Sequence, residues 1–231
     1  MRRVMLKLSG EALAGNQKNG FDFSVVDNIS KQIKKIKSKS IQIAIMIGGG
    51  NFIRGKMLGN IDKYKADEIG MLSTCMNSLY LQSVLKLNSI ESVVYGAFSM
   101  SDMAEIFSKD KAIDSMNNGK VVILSGGTGH PYFTTDTGVV LRSIELECNE
   151  LLLAKSIDGV YDKDPNKFKN AKKLNKVSLN EMIEKKLEVI DLCASVLCLN
   201  NKLNLRVFSL LESNSIVKAI KGSNIGTLVY S

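Results

Sequence analysis

Along the chain, short apolar runs end abruptly in glycine and small polar residues, and each is followed by a stretch with helical spacing. Positions 3–8 read as a strand ending in Ser9-Gly10, after which Val25, Ile29, Ile33 and Ile36 recur at helical spacing within 24–38. Positions 41–47 form a near-continuous apolar strand running into Gly48-Gly49-Gly50-Asn51, with a long helix expected over 66–87. A strand at 92–95, a helix over 102–116 and a strand at 121–124 ending in Ser125-Gly126-Gly127-Thr128-Gly129 repeat the design. A helix over 136–148 and a strand at 151–154 leading to Asp158-Gly159 follow. In the last third, Ser178 with Glu181 makes a capping box, and helices are expected over 191–202 and 213–221, the latter stopped by Gly222. Strands at 205–208 and 227–230 complete the pattern.

Strands written as continuous Val, Ile and Leu runs are buried on both faces, which implies a parallel sheet between two helical layers. The expected fold is therefore a three-layer α/β/α sandwich. No linker, repeat or low-complexity break divides the chain, so residues 1–231 are expected to form one domain. With 45% apolar and 23% charged residues, the composition excludes a fibre, a disordered chain and a disulfide miniprotein. Cys75, Cys148, Cys193 and Cys198 lack the spacing of a zinc knuckle or redox pair and read as reduced thiols. Lys7 interrupts the first apolar stretch too early for a secretory signal. The longest uncharged run, 69–85, holds Ser73, Thr74, Asn77, Ser78, Gln82 and Ser83, so it reads as a buried or interface helix. A cytoplasmic protein without a membrane span is expected.

The 31 Lys and Arg exceed the 23 Asp and Glu by 8. Lysines cluster at Lys31, Lys34, Lys35, Lys37 and Lys39 and at Lys167, Lys169, Lys172 and Lys173, without interleaved aromatics for stacking bases. They read as solvated faces, and no nucleic-acid partner is expected.

Ligands of an open parallel sheet bind at the carboxyl ends of its strands, and three glycine loops fall there, with Lys7 and Arg54 beside two of them. Glycine lets the backbone approach an anion without a Cβ in the way. Neither a Walker loop nor a G-x-G-x-x-G fingerprint occurs. Asp136-Thr137-Gly138 lacks the second copy that an aspartic protease needs, and Lys167 and Lys173 spoil a calcium loop opened by Asp162 and Asp164. With His130 as the single histidine, triad catalysis and multi-histidine metal sites are hard to build. Chemistry rests on lysine, arginine, carboxylates and backbone, the tools of phosphoryl transfer. Plainer readings stand beside these: Lys7 snorkelling, Asp67 as a first-turn helix acid, Asp136 and Asp191 as N-caps, Asp164-Pro165 as a turn, Tyr161 as packing.

Five motifs then carry a resemblance. Lys7-Leu8-Ser9-Gly10-Glu11-Ala12-Leu13, Gly48-Gly49-Gly50-Asn51 with Arg54-Gly55, Asp67 with Gly70-Met71-Leu72, Gly127-Thr128-Gly129-His130-Pro131-Tyr132-Phe133-Thr134-Thr135-Asp136, and Asp158-Gly159-Val160-Tyr161 with Asp164-Pro165 follow one another in order. The chain resembles the bacterial UMP kinases of the amino-acid-kinase family from about Val4 to Tyr230. The resemblance implies a mainly parallel sheet of about eight strands and transfer of the ATP γ-phosphoryl group to UMP, with Mg2+ accompanying ATP. It implies that Lys7, Leu8, Ser9, Gly10 and Gly50 line the phosphates and that Arg54 reaches the transferring group. Gly49, Asp67, Thr128, Gly129, His130, Pro131, Tyr132, Phe133, Thr134 and Thr135 would hold UMP. His130 stands where the family commonly has Asn. Lys155 or Ser156, with Tyr161 and Asp164, would surround the adenosine of ATP, and Asp136 and Asp191 would be acidic organisers near lysine and metal. The N-terminal part would be mainly the UMP side and the C-terminal part mainly the ATP side. A homo-hexamer using the 69–85 helix, activation by GTP through the 15–20 loop and inhibition by UTP also follow from the resemblance. The alternatives are a relative acting on a carboxylate or carbamate, and a non-catalytic nucleotide-binding regulator.

Overall fold

The computed structural model describes residues 1–17, 19–38, 40–53, 60–187 and 189–231. Arg54 and Gly55 of the second motif, Lys39 of the first lysine cluster and Lys18 of the 15–20 loop lie outside the described residues. Four parallel strands form the centre: β1 (Arg2–Leu8), β2 (Ile41–Ile47), β5 (Val121–Ser125) and β6 (Glu150–Lys155). Outside them lie β3 (Ser92–Gly96) and β4 (Glu105–Ile106) on one side, and β10 (Leu205–Ser209), β11 (Thr227–Tyr230) and β9 (Lys176–Ser178) on the other. Among the described residues the sheet has nine strands in the order β4-β3-β5-β2-β1-β6-β10-β11-β9, and only β10 and β11 pair antiparallel. The count, against about eight expected, includes the short edge strands β4 and β9, of two and three residues. A separate pair joins β7 (Val160–Tyr161) to β8 (Lys173–Leu174).

Side-chain alternation divides the interior into two layers. Val4, Leu6 and Leu8 pack on one face with α1 (Gly10–Leu13), α2 (Phe23–Ile36), α3 (Lys63–Leu87) and α8 (Ser215–Ile220). Met5, Met46, Leu124 and Leu153 pack on the other with α4 (Lys109–Asn117), α5 (Thr135–Glu145), α6 (Leu179–Glu184) and α7 (Leu192–Asn200). Helix α2 follows its pattern, burying Val26, Ile29, Ile33 and Ile36 behind an Asp22 cap that accepts from the Ser24 N–H. By the same period of two, Lys7 shares the face of Met5 and is aimed at α5.

One expected helix, 102–116, is shorter in the structure. It begins at Lys109, because Glu105–Ile106 is drawn into pairing with Tyr95–Gly96 and Ser108 adopts an extended N-cap conformation. The expected start of α5 at Asp136 also moves: Thr134 is the cap, its hydroxyl accepting from the Asp136 and Thr137 N–H groups. Among the described residues no helix is long and apolar enough to cross a membrane.

Candidate functional site

Because β5, β2, β1 and β6 are adjacent and parallel, their carboxyl ends bring the loops after Ser125, Ile47, Leu8 and Lys155 to one edge. The loops meet backbone to backbone. A Cβ on Gly10 would lie 2.2 Å from the Gly48 carbonyl oxygen, and one on Gly49 would lie 2.8 Å from that of Gly70. Among the described residues no protein group accepts from the N–H groups of Gly49, Gly50, Gly127 or Thr128. Converging backbone donors of this kind form an anion-binding surface.

Gly49 and Gly50 line a cleft of about 330 Å³ with Asp67 and Gly70 of α3 and with Thr128, His130, Tyr132, Phe133, Thr134 and Thr135. Asp67 Oδ2 accepts from the Tyr132 main-chain N–H at 2.8 Å. Tyr132 holds a left-handed φ of +70°, a conformation rare for a non-glycine residue, and the carboxylate contact helps to hold it. Lys63, one helical turn before Asp67, sets its ammonium 5.2 Å from the Tyr132 ring centroid. Thr128 Oγ1 accepts from the His130 N–H and closes that turn. Gly129 and Pro131 belong to the same loop, and the Gly129 N–H donates to the Gly126 carbonyl.

Behind this cleft lies a compact charge cluster. Lys7 Nζ stands 2.9 Å from Asp136 Oδ1, and Lys155 Nζ stands 3.1 Å from Asp136 Oδ2. Lys155 also donates to the Val189 carbonyl. Burial alone would push the Asp136 carboxyl up, but the ammonium charges of Lys7 and Lys155 outweigh it and hold the group below the usual carboxylate range. Lys155 is shifted below the ordinary lysine range, chiefly by burial, with Asp136 opposing and the neighbouring Lys7 adding to the shift. Lys7 and Lys155 thus share one buried carboxylate, with the negative charge of Asp191 also acting on Lys155.

Asp191 does not touch that cluster directly. It caps α7 by accepting from the Ala194 N–H at 2.9 Å, and it accepts from the Thr137 hydroxyl at 3.0 Å and from that of Thr134. The plain N-cap reading is therefore right for Asp191. The residue additionally ties the N-terminus of α5, and so Asp136, to α7. Among the described residues no group of three His, Cys, Asp or Glu is gathered as a metal cage.

Tyr161 and Asp164 line a second cleft of about 560 Å³ together with Val189. The Tyr161 hydroxyl donates to Asp158 at 2.8 Å, and Asp164 accepts from the Asn166 N–H, an Asx turn of the kind the Asp-Pro pair suggests. Ser156 lines a third recess beside Glu11, Gly50 and Asn51. Lys155 and Ser156, interchangeable in the sequence reading, thus separate: Lys155 joins Lys7 on Asp136 and Ser156 does not. The lysine cluster stands between the first two clefts, since Asp136 adjoins Thr135 and Lys155 bonds Val189. Two contributors were not singled out for the site from sequence. Thr74 accepts from the Gly126 N–H at 2.8 Å, and Asn77 donates to the Gly48 carbonyl at 2.6 Å. Each sits in the polar stretch of α3, a signal that had pointed to a buried or interface helix without naming these contacts.

A family model described as the amino acid kinase family matches residues 2–209. The UMP kinase from Bacillus anthracis superposes with a TM-score of 0.94 at 35% identity, covering 99% of this chain and 96% of that one. The UMP kinase from Ureaplasma parvum gives 0.94 at 32% identity, covering 100% and 99%. The uridylate kinase from Archaeoglobus fulgidus, at 24% identity and a TM-score of 0.76 over 99% and 100%, shares the fold.

Proposed function

The chain belongs to the amino acid kinase family, and we propose that it transfers the γ-phosphoryl group of ATP to UMP, giving ADP and UDP. The observation that carries the reading is the cleft joining Asp67 to the Gly49-Gly50 and 127–135 loops, whose lining residue Thr135 adjoins Asp136 and its two lysines, Lys7 and Lys155. In this reading Asp67 accepts from the UMP ribose hydroxyls and the loop N–H groups with the Thr135 hydroxyl face its phosphate, while Thr134, whose hydroxyl proton goes to Asp191, lines the cleft. Lys7, Leu8, Ser9, Gly10 and Gly50 border the ATP phosphates, and Tyr161 and Asp164 the adenosine. The N-terminal part of a single domain serves mainly UMP and the C-terminal part mainly ATP, with the Lys7–Gly10 segment and Gly50 as the N-terminal share of the ATP phosphate site.

A UMP phosphate oxygen forms the new bond to the γ-phosphorus as the bond to the β-bridging oxygen breaks, and ADP keeps that electron pair. The acceptor is already an anion near neutral pH, so no side chain has to remove a proton. The protein's work is positioning and charge neutralisation. Lys7, a compact charge on a flexible stem, can follow the moving group, while Arg54 is assigned a paired-donor role on sequence grounds. Asp136 keeps the two lysines apart and oriented, and Asp191 holds Asp136 through α5. Magnesium, whose part is to neutralise phosphate charge, would ride on the triphosphate oxygens, because the Asp136 and Asp191 oxygens are engaged by lysine, hydroxyl and amide donors.

The same reading extends to a cytoplasmic enzyme of pyrimidine nucleotide synthesis, a homo-hexamer using the exposed Leu72 and Met76 of α3, with GTP as activator and UTP as inhibitor. A coupled assay for ADP with ATP, magnesium and each of UMP, glutamate and carbamate tests the function. Turnover with UMP alone is expected, and turnover only with a carboxylate or carbamate would overturn it.

A further inference from the structure

The middle of α3 buries an amide pair that the phosphoryl-transfer reading has not used. Asn77 is fully buried and Asn51 is 1% exposed. Asn77 Nδ2 donates to Asn51 Oδ1 at 2.8 Å, and Asn51 Nδ2 donates back to Asn77 Oδ1 at 2.9 Å. The remaining donor of each amide reaches the backbone of a loop. Asn77 Nδ2 also bonds the Gly48 carbonyl at 2.6 Å, and Asn51 Nδ2 bonds the Gly20 carbonyl at 2.9 Å. A buried polar pair is retained at little cost only when its hydrogen bonds are made, and this one makes them among α3, the glycine loop and the segment before α2.

We propose that Asn77, acting with Asn51, is a positioning residue that sets the direction of the glycine-loop N–H groups at the head of the acceptor cleft. The Gly48 carbonyl and the Gly49 N–H belong to one planar trans unit and point opposite ways, so pinning the carbonyl to Asn77 turns the N–H away from it. The Gly49 carbonyl is taken by the N–H groups of Phe52 at 3.1 Å and Ile53 at 3.2 Å, which orients the Gly50 N–H by the same rule. The Asn51 carbonyl accepts from the Gly20 N–H at 2.9 Å, so Asn51 clasps Gly20 with both main chain and side chain. Anchors on the carbonyls of Gly48, Gly49 and Asn51 hold the loop on protein and leave the two glycine donors facing other partners. No side chain at Gly49 can do this work, since a Cβ there would meet Gly70 and Ser73 at 2.8 and 2.9 Å. The support therefore comes from beneath the loop.

The inference rests on the phosphoryl-transfer reading, and its test separates the two. Asn77→Leu removes the anchor but strands half of the Asn51 amide. The double variant Asn51→Leu, Asn77→Leu replaces both partners by apolar groups, a change that folded proteins tolerate better. Steady-state kinetics with ATP and UMP are measured beside amide hydrogen exchange, well below the melting temperature. The expected result is kcat lowered about tenfold or more, as for misplaced transition-state donors, with KM for UMP changed less than about threefold. Exchange at residues 48–53 should quicken while β1 and β5 keep wild-type protection. A folded variant with wild-type exchange at 48–53 and wild-type kcat would overturn the inference. The exchange comparison needs no turnover, so wild-type protein that fails to phosphorylate UMP would refute the function and still leave the loop result decisive.

Discussion

The main-chain N–H of Tyr132 donates to Asp67 Oδ2 at 2.8 Å, so one carboxylate oxygen holds the loop that closes the acceptor cleft. In the proposed reading, its other oxygen is the acceptor offered to the UMP ribose diol. In Asp67→Asn the amide oxygen can keep Tyr132 only by presenting Nδ2 to the ligand. UMP affinity should fall by about 1.5 to 3 kcal/mol, the worth of a charged hydrogen bond, while the melting temperature stays within a few degrees. Calorimetric UMP titration and thermal unfolding read the two effects, and wild-type affinity in the variant would remove Asp67 from the ligand contacts.

Asp136 faces two ammonium groups in a setting where all three side chains are 11–17% exposed. Asp136→Asn strands both cations, and breaking a buried pair from one side costs about 3–5 kcal/mol. Lys7→Met leaves Lys155 on Asp136, so it should cost less stability yet abolish most turnover. Urea unfolding with parallel kinetics checks the order. Equal stability loss with retained kcat in the Lys7 variant would contradict the assignment.

The depressed Asp136 carboxyl has a pH consequence. A group whose folded pKa lies below its unfolded value contributes stability above the unfolded pKa and loses it as pH falls through the folded one. The unfolded value is about 3.9, so the contribution is complete near neutrality and fades below about pH 4. The stability gap between wild type and Asp136→Asn should therefore narrow as urea unfolding is repeated from pH 6 downward. A gap that widens on acidification would reverse the sign of the argument.

Burial pushes the Cys148 and Cys198 thiols up to about 12 and raises that of Cys75, whereas Cys193 is exposed. A thiol-reactive chromogen at pH 8 should titrate one cysteine quickly in native protein and four after denaturation. Fast reaction in a Cys193→Ser variant would show that the interior thiols open readily.

How much of this could be read beforehand depended on the kind of signal. Strands β1, β2, β5 and β6 were legible because burial on both faces writes an uninterrupted apolar run. Helix α4 was placed too early because Met103 and Ile106, which fit helical spacing, are exposed at a sheet edge that only tertiary pairing creates. The pairs β7 with β8 and the strand β9 are too short to leave a period. Lys7 was visible as a charge ending an apolar strand, but its partner Asp136 was legible only through the resemblance, since nothing in the spacing of 7, 136 and 155 reveals that three strand and helix ends meet. Asp67 was legible only through resemblance. Asn77 was hidden because a polar residue in an uncharged helix looks the same whether it faces a partner subunit or a glycine loop.

The central claim is that the Asp67 and 127–135 cleft selects UMP. The most direct measurement is kcat/KM for UMP, CMP and AMP with saturating ATP and magnesium in one coupled assay. A pocket hydrogen-bonded to one base edge should favour UMP over CMP by about 100-fold or more, because the wrong base leaves buried polar groups unpaired. Comparable kcat/KM for UMP and CMP would contradict the account.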